Sequence, residues 1–369
     1  MKCLVLAPQR FGIREVAERI GQEWEEMGHD VEYRLPDGAA ARIGPVTVGV
    51  VGIAEWWRKQ FKELAQNPKA YDLIWTHQPI SPTLPTKDPE LWNRMIMTFH
   101  TTEHEGYRLA KQGIYPRKRL PYYATTRWFE GRFHKRLAAL EGTNPMYTVV
   151  SSQLHDEIAR FGVEDAVCIP NGVFVPEDRD FSPIRHEYGI PSDATVLFNI
   201  GRLTEQKRPA VFAETMTEVC NQRDDLYCII AGKGRLADEV AGHTSERVKA
   251  LGFVSDEEKW RWFADADVFA SLSGYEGMPV ATLEALSFGC PVVLSDIPAH
   301  RAVIDEYDAT GRCVDVKSAA VAAAIDDVVG READVELPTW EEIAEGYLER
   351  FNGRRSNVSA ESKKLAPHR

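Results

Sequence analysis

The chain predicts an α/β protein of two domains, each a parallel sheet flanked by helices, and three observations carry that prediction. Its 369 residues exceed what one hydrophobic core organises, since single cores rarely grow past roughly 250 residues. Short apolar runs alternate with helix-period patterns along the chain, the signature of βα units rather than of a sandwich or a bundle. That alternation is interrupted at Pro170-Asn171-Gly172 and a loop holding Pro176 and Pro183, and then restarts.

Strands of the first half are expected at Lys2–Ala7, Val31–Leu35, Asp72–Thr76, Met95–Phe99, Tyr147–Val150 and Ala166–Ile169. A helix over Arg14–Met27 is closed by Gly28. Pro36–Trp56 reads as a long irregular stretch whose mobile glycines suit an acceptor loop. In the second half, strands are expected at Thr195–Ile200, Leu226–Ala231, Val248–Leu251, Val268–Ser271, Pro291–Leu294 and Gly311–Val314. Helices at about Arg208–Cys220, Asp256–Ala264, Val280–Phe288 and Ser318–Val329 supply the crossovers that parallel strands require. The boundary falls around Val173–Pro191, with a first domain over 1–175 and a second over 190–335. Residues 336–353 carry a final helix with Trp340, Ile343, Tyr347 and Leu348, expected to return to the first domain, and 354–369 is polar enough for a mobile tail.

A hydrophobic fraction of 44% and a charged fraction of 27% belong to an ordinary soluble protein and exclude wholesale disorder and fibrous classes. No run approaches the roughly 18 apolar residues of a membrane span, and Met1–Pro8 is too short for a secretion-signal core, so a cytoplasmic location is expected. The six cysteines include no C-x-x-C pair, so neither a structural zinc nor a disulfide framework is expected. A formal net charge of −12 argues against nucleic acid as a partner, and any anionic ligand must be met by local cations.

Open parallel sheets bind ligands beyond the carboxyl ends of their strands, so the loops there hold the candidate residues. After Ile200 comes Gly201-Arg202-Leu203-Thr204-Glu205-Gln206-Lys207. Arginine grips phosphate oxygens bidentately and lysine adds a compact charge, so Arg202 and Lys207 suit a diphosphate and the charge that builds as it departs. Two solvated surface cations are the plain alternative. After Ser271 comes Tyr275-Glu276-Gly277-Met278-Pro279-Val280-Ala281-Thr282-Leu283-Glu284. This puts one carboxylate in a loop, a second on a helix, and the N–H groups of the helix start between them. Carboxylates accept hydrogen bonds from vicinal sugar hydroxyls, so one suits a hexose and the other a ribose. The plain alternative makes Glu276 a charge near a helix start and Glu284 a solvated helix residue. Glu284 nevertheless lies between Leu283 and Ala285-Leu286, and an acid in so apolar a helix asks for a partner.

These segments resemble the retaining glycosyltransferases of family four, with the two-domain fold called GT-B, most closely between Tyr147 and Asp305. Ser151-Ser152-Gln153-Leu154 with Ile169-Pro170-Asn171-Gly172-Val173 matches the end of the family's first domain. Asn199-Ile200-Gly201-Arg202-Leu203 with Lys207, Ala231-Gly232-Lys233-Gly234, Gly252-Phe253-Val254 before an acidic helix, and the paired-glutamate segment running on to Pro291-Val292-Val293 follow in the family's order. One such motif says little; five in order are specific. The resemblance implies two facing Rossmann-like domains with a cleft between them, the nucleotide sugar held mainly by the second. It implies that Arg202 and Lys207 hold the donor diphosphate and that Val254 offers its backbone to the base. Glu276, with Gly277, Met278 and Pro279 beside it, would contact the donor sugar and Glu284 the ribose. The chain departs from the pattern at Arg208, where glycine usually follows the lysine, and at Pro279, where many relatives have glycine. Arg208 stiffens the loop, and Pro279 suits a helix start.

The first half resembles the family less. Relatives often show two adjacent glycines after the first strand, where this chain has Gln9-Arg10-Phe11-Gly12-Ile13. Gly12 still permits close approach of the backbone to phosphate or acceptor, ahead of the helix near Arg14. Met95–Phe99 ends in His100-Thr101-Thr102, and the family often places a functional histidine there, facing the donor sugar. By that position His100 either bonds a sugar hydroxyl or helps to collect the acceptor's proton, with His77 and His104 as rivals near strand ends.

Arg117, Lys118, Arg119, Arg127, Arg132, Lys135 and Arg136 alternate with Tyr122, Tyr123, Trp128, Phe129 and Phe133 in an otherwise acidic protein. One reading is an ordinary helix with Phe129, Phe133, Leu137 and Leu140 packed inward and its cations wet. The other rests the 117–136 face on anionic lipid, at the inner membrane face, or on an acceptor's phosphate.

The leading functional expectation is transfer of a hexose from a nucleoside diphosphate sugar to a hydroxyl of a glycan or lipid-linked acceptor. Retention of anomeric configuration comes from the resemblance alone. No cofactor is expected beyond the nucleotide sugar, and no metal, because cations and helix starts neutralise the diphosphate and no Asp-x-Asp cluster occupies a donor loop. A sugar-nucleotide epimerase on the same fold and a catalytically silent glycan-binding protein are the alternatives.

Overall fold

The computed structural model describes residues 1–7, 12–35, 42–43, 46–47, 49–173, 176 and 178–364. The chain begins with β1 (Lys2–Leu6), α1 (Ile13–Glu26), β2 (Asp30–Arg34), β3 (Arg42–Ile43), β4 (Val46–Thr47), α2 (Gly49–Leu64) and β5 (Leu73–His77). It continues through α3 (Pro89–Trp92), β6 (Met95–Phe99), α4 (Glu103–Gln112), α5 (Leu120–Ala138), β7 (Met146–Val149), α6 (Leu154–Ala159) and β8 (Val167–Cys168). After these come β9 (Thr195–Ile200), α7 (Pro209–Asn221), β10 (Leu226–Ala231), α8 (Ala237–Ala241), β11 (Val248–Gly252), α9 (Asp256–Asp265) and β12 (Val268–Ser271). The last elements are α10 (Val280–Ser287), β13 (Val292–Ser295), α11 (Pro298–Glu306), β14 (Gly311–Val314), α12 (Ser318–Val328) and α13 (Trp340–Lys364).

Two compact units result: Met1–Gly172 with Pro338–Arg369, and Val173–Leu337. Each is Rossmann-like, a parallel sheet with helices packed on it. In the first, the sheet runs β2-β1-β5-β6-β7-β8. Every residue of β5 and β6 is buried, as expected of central parallel strands covered on both faces. In the second, the order is β11-β10-β9-β12-β13-β14. The chain there winds outward from β9 through β10 to β11 and then returns to place β12 on the other side of β9. The order reverses between β9 and β12, and at such a point the loops leave a crevice beyond the strand ends. In the first unit the reversal falls between β1 and β5.

Met95–Phe99, Thr195–Ile200, Leu226–Ala231, Val268–Ser271 and Gly311–Val314 keep their expected bounds, and the other expected strands move by a single residue at either end. All six cysteines are free. Two expectations are corrected. Within Pro36–Trp56, the residues from Gly49 onward belong to α2, whose Ala54, Trp57, Phe61 and Leu64 recur at helical spacing and are buried; residues 36–41 lie outside the described part. The helix expected to end near Phe351 continues to Lys364, so no tail begins at residue 354: Arg354 donates to Asn144 and, at 2.6 Å, to Asp165.

α13 packs on the first unit through Ile343, Ala344, Tyr347, Leu348 and Phe351. Trp24 of α1 donates its Nε1–H to the Ala344 carbonyl at 3.0 Å, and the Tyr347 ring lies 5.0 Å from that of Trp75. The packed stripe, rather than helix propensity, holds this polar helix in place.

Candidate active site

The loops after β9 and β12 flank the switch point of the second unit, and hydrogen bonds tie them together. Gly274 N donates to the Gln206 carbonyl at 2.7 Å, Gln206 Nε2 to the Tyr275 carbonyl at 3.0 Å, and Lys207 Nζ to Glu276 Oε1 at 2.6 Å. Glu276 is 5% exposed and Lys207 25%, so solvent screens the pair only in part. The loop after β10 supports the other side: Gly201 N donates to the Ala231 carbonyl, and Leu203 N to the Lys233 carbonyl. Position 232 requires glycine, because a Cβ there would lie 1.8 Å from the Gly201 oxygen.

Arg208 ends the Lys207 loop with φ 48° and ψ 46°, in the left-handed region, immediately before Pro209 opens α7. This conformation accounts for the glycine usual at that place, since a residue with a Cβ pays about 1–2 kcal/mol there. Arg202 is exposed at the start of the same loop. Gly277 and Met278 are half-buried and Pro279 is buried where the chain turns into α10; the Pro279 carbonyl accepts from Thr282 N and Leu283 N. Glu284, one turn into α10, has the partner its apolar helix calls for: Lys259 Nζ of α9 lies 3.2 Å from its Oε1 and 3.7 Å from the Trp260 ring centroid. Val254 is buried in the core, while its neighbour Phe253 is 71% exposed with Lys233 Nζ 4.5 Å from its ring centroid.

Sequence reasoning passed over His300. It is wholly buried on α11, with Nδ1 2.9 Å from the Ser295 carbonyl, and Ser295 Oγ in turn donates to the Ser273 carbonyl at 2.6 Å. Its Nε2 is buried without a partner. Burial lowers this imidazole to about 4, against the opposing pull of the Glu276 carboxylate. The readable signal was Ser295 closing an otherwise apolar strand, with His300 five residues on in the first turn of the next helix.

In the first unit Gly12 caps α1 at φ 84°, its carbonyl accepting from Val16 N at 3.1 Å; Gln9, Arg10 and Phe11 lie outside the described residues. His77 closes β5 and His100 follows β6. The β5–β6 register sets His77 opposite Thr98 and brings His77 Nδ1 to 2.9 Å from His100 Nε2, with the rings 16° from parallel. Burial lowers His100 to about 4 and, with His100 adding to it, lowers His77 well below the usual histidine range. Gln78, at φ 48°, donates Nε2–H to the Thr101 carbonyl at 2.6 Å and staples the same strand ends. His104 sits apart on α4, half-buried and lowered by burial and then by Arg160 and Arg127.

α5 turns Tyr123, Thr126, Glu130, Phe133, His134 and Leu137 inward. Phe129 and Leu140, expected inside, are half-buried. Arg117, Lys118, Arg119, Arg132, Lys135 and Arg136 stand exposed, and Trp128 is 56% exposed with the Arg132 guanidinium 5.2 Å from its ring centroid. The lone acid of this stretch, Glu130, is buried and accepts from Glu103 N at 2.9 Å. No helix among the described residues is long and apolar enough to cross a membrane, and among them no group of three His, Cys, Asp or Glu is arranged to hold a metal ion.

These loops and sheets match two known domain families. The glycosyl transferases group 1 profile fits residues 180–338, and that of glycosyltransferase family 4 fits residues 12–175. The chain belongs to glycosyltransferase family 4. This family 4 enzyme is 26% identical to the GDP-mannose-dependent alpha-(1-6)-phosphatidylinositol dimannoside mannosyltransferase of Mycobacterium tuberculosis, over 92% of each chain. It is 28% identical to the phosphatidyl-myo-inositol mannosyltransferase of Mycolicibacterium smegmatis, over 88% of this chain and 84% of that one. Among solved structures, sucrose-phosphate synthase from Thermosynechococcus elongatus shares its fold with a TM-score of 0.63 at 16% identity, covering 99% of this chain and 98% of that one. The family 4 enzyme thus has the GT-B fold and is a glycosyltransferase of carbohydrate biosynthesis.

Proposed function

We propose that this enzyme transfers mannose from GDP-mannose to a hydroxyl of an inositol-headed membrane lipid, with retention at the anomeric carbon. The observation that carries the transfer reading is the Lys207–Glu276 pair, a cation and a buried carboxylate side by side where the strand order reverses. Lys207 and Arg202 neutralise the donor diphosphate and stabilise the charge that grows on the departing nucleotide. Glu276 accepts from the sugar hydroxyls, and the backbone N–H groups of Gly277 and Met278 and of the first turn of α10 face the same ligand. Glu284 exchanges its contact with Lys259 for the ribose diol, and the Val254 backbone meets the base. Gly12 backs the phosphate or acceptor, and His100 meets the sugar. Two fixed cations take the place of a divalent metal, so transfer is metal-independent. Departure and attack on one face of the sugar leave Glu276 a binding group throughout.

Donor and acceptor rest on the two mannosyltransferases, which are similar to this chain along most of its length. The lipid acceptor also suits α5. Each Lys or Arg near an anionic bilayer contributes about 1 kcal/mol, and an exposed tryptophan settles at the headgroup level. The Arg117–Arg136 face is therefore assigned to peripheral contact with the inner membrane surface.

The test is transfer by the purified enzyme from GDP-mannose, UDP-glucose and ADP-glucose to phosphatidylinositol in anionic vesicles, with and without EDTA, read by mass spectrometry. One added hexose from GDP-mannose under both conditions is expected. Product from another nucleotide alone sinks the donor assignment, and loss of product in EDTA sinks the metal-free one.

A further inference from the structure

His77 occupies a place where a histidine brings only cost if its role is to fill space. It is wholly buried, its ring centroid 4.1 Å from that of Trp75, which itself packs on Trp24 and Tyr347. Phenylalanine would extend that aromatic stack without burying a polar atom. The Nε2 of His77 has no hydrogen-bond partner, a penalty the fold carries. Its Nδ1 has one, the Nε2 of His100 at 2.9 Å.

A single hydrogen lies between those two nitrogens. Were His100 to supply it, the neutral His77 would carry its own hydrogen on Nε2, as a bare buried N–H. With His77 as the donor, what remains on Nε2 is a lone pair. Orphaned N–H groups are rarer in protein interiors than under-used acceptors, so the second arrangement is the one the fold favours. We infer that His77 is a positioning residue whose Nδ1–H donates to His100 Nε2, fixing His100 in the tautomer that carries its hydrogen on Nδ1. That N–H is then presented as a hydrogen-bond donor to an oxygen of the bound sugar or acceptor.

The consequence separates the two roles open to His100. Its Nε2 lone pair is taken by His77 and its Nδ1 bears a hydrogen, so no free lone pair is left to collect the acceptor's proton. Stacking of the rings at 16° and the Gln78–Thr101 bond across the same strand ends hold the imidazole in one orientation. The inference rests on the reading that His100 meets substrate.

It is tested by nitrogen NMR on the full chain with isotope-labelled histidine, assigned through His77→Phe and His100→Gln, beside kinetics with GDP-mannose and phosphatidylinositol vesicles. In the unaltered enzyme near neutral pH, His100 should show a protonated Nδ1 and a bare Nε2. In His77→Phe it should shift toward the Nε2–H form that free imidazole prefers. With it kcat should fall roughly ten- to hundredfold, as when an orienting partner of a functional histidine is removed, while KM for GDP-mannose changes little. His77→Asn places an amide N–H where Nδ1–H stood and should restore most of kcat. A hydrogen on His100 Nε2 in the unaltered enzyme overturns the inference, and that measurement requires no variant to fold. Full activity in His100→Gln overturns the reading of His100 itself, and is told apart because the tautomer then stands as described.

Discussion

Replacing Lys207 with methionine removes the charge facing Glu276 while keeping most of the side chain's bulk. The groups stand 2.6 Å apart with 5% of Glu276 exposed, and at an effective dielectric of about 20 unit charges so placed attract by about 6 kcal/mol. Much of that attraction offsets the desolvation of Glu276. Removing one partner from a buried pair costs about 3–5 kcal/mol, and the 25% exposure of Lys207 sets this case near the lower figure. A loss of about 3 kcal/mol lowers the Tm of a domain of this size by about 6–12 °C. The double variant Lys207→Met/Glu276→Gln leaves no unpaired charge and should regain most of that stability. Turnover should behave differently: losing a group that stabilises departing charge costs about 10²–10³ in kcat, and the double variant should stay as slow as the single. Calorimetric unfolding and mannosyl transfer, measured on the same preparations, separate the two effects. Should turnover return together with stability in the double variant, the pair is structural only and the assignment of Lys207 to the diphosphate fails.

Arg208 already carries the left-handed cost of about 1–2 kcal/mol, so Arg208→Gly should be at least as stable as the parent in urea unfolding, whereas the β-branched Arg208→Val should be less stable than the parent. A destabilised glycine variant would contradict the strain. Tyr347→Ala leaves a cavity beside Trp24 and Trp75 and should cost about 3–5 kcal/mol; a loss under about 1 kcal/mol would show that α13 does not cover them. His77, His100, His134 and His300 are all lowered by burial, the last three to about 4. The unfolded chain takes up protons below about pH 6.5 that the folded one refuses. Stability is therefore full above that pH and falls as pH drops toward about 4, by up to about 1.4 kcal/mol per pH unit for each such group. Equal urea midpoints at both ends of that window would refute the assignment. Arg132→Glu reverses one charge beside Trp128 and should weaken binding to anionic vesicles about thirtyfold, since each charge near the surface contributes about 1 kcal/mol; unchanged sedimentation would detach α5 from the membrane.

Strands such as Thr195–Ile200 and Val268–Ser271 were legible because buried parallel strands must be continuous apolar runs, and the position of Arg202 and Lys207 beyond a strand end because they follow such a run. α2 was not: it opens with Gly49, Val50, Val51 and Gly52, poor helix formers, and is shaped instead by burial of Trp57 and Phe61. The continuation of α13 past Phe351 depends on Arg354 reaching Asp165, a partner no local pattern contains. His77 and His100 were each visible as histidines at strand ends, but their contact spans 23 residues and exists through the β5–β6 register. His300 owes its place to Ser295, whose carbonyl and hydroxyl both meet its Nδ1, and the left-handed backbone of Arg208 was signalled only by the glycine usual at that place.

The first unit takes its last covering helix from residues that follow the whole of the second. A ribosome therefore completes Val173–Leu337 before the nascent chain contains Tyr347 or Phe351. The later-made unit is continuous and can fold as it emerges, while the earlier-made one waits with Trp24 and Trp75 uncovered, reversing the usual N-terminal-first order. During that interval the open aromatic surface is a site for chaperones. A chain cut after Leu337 would release a finished second unit and strand an unfinished first.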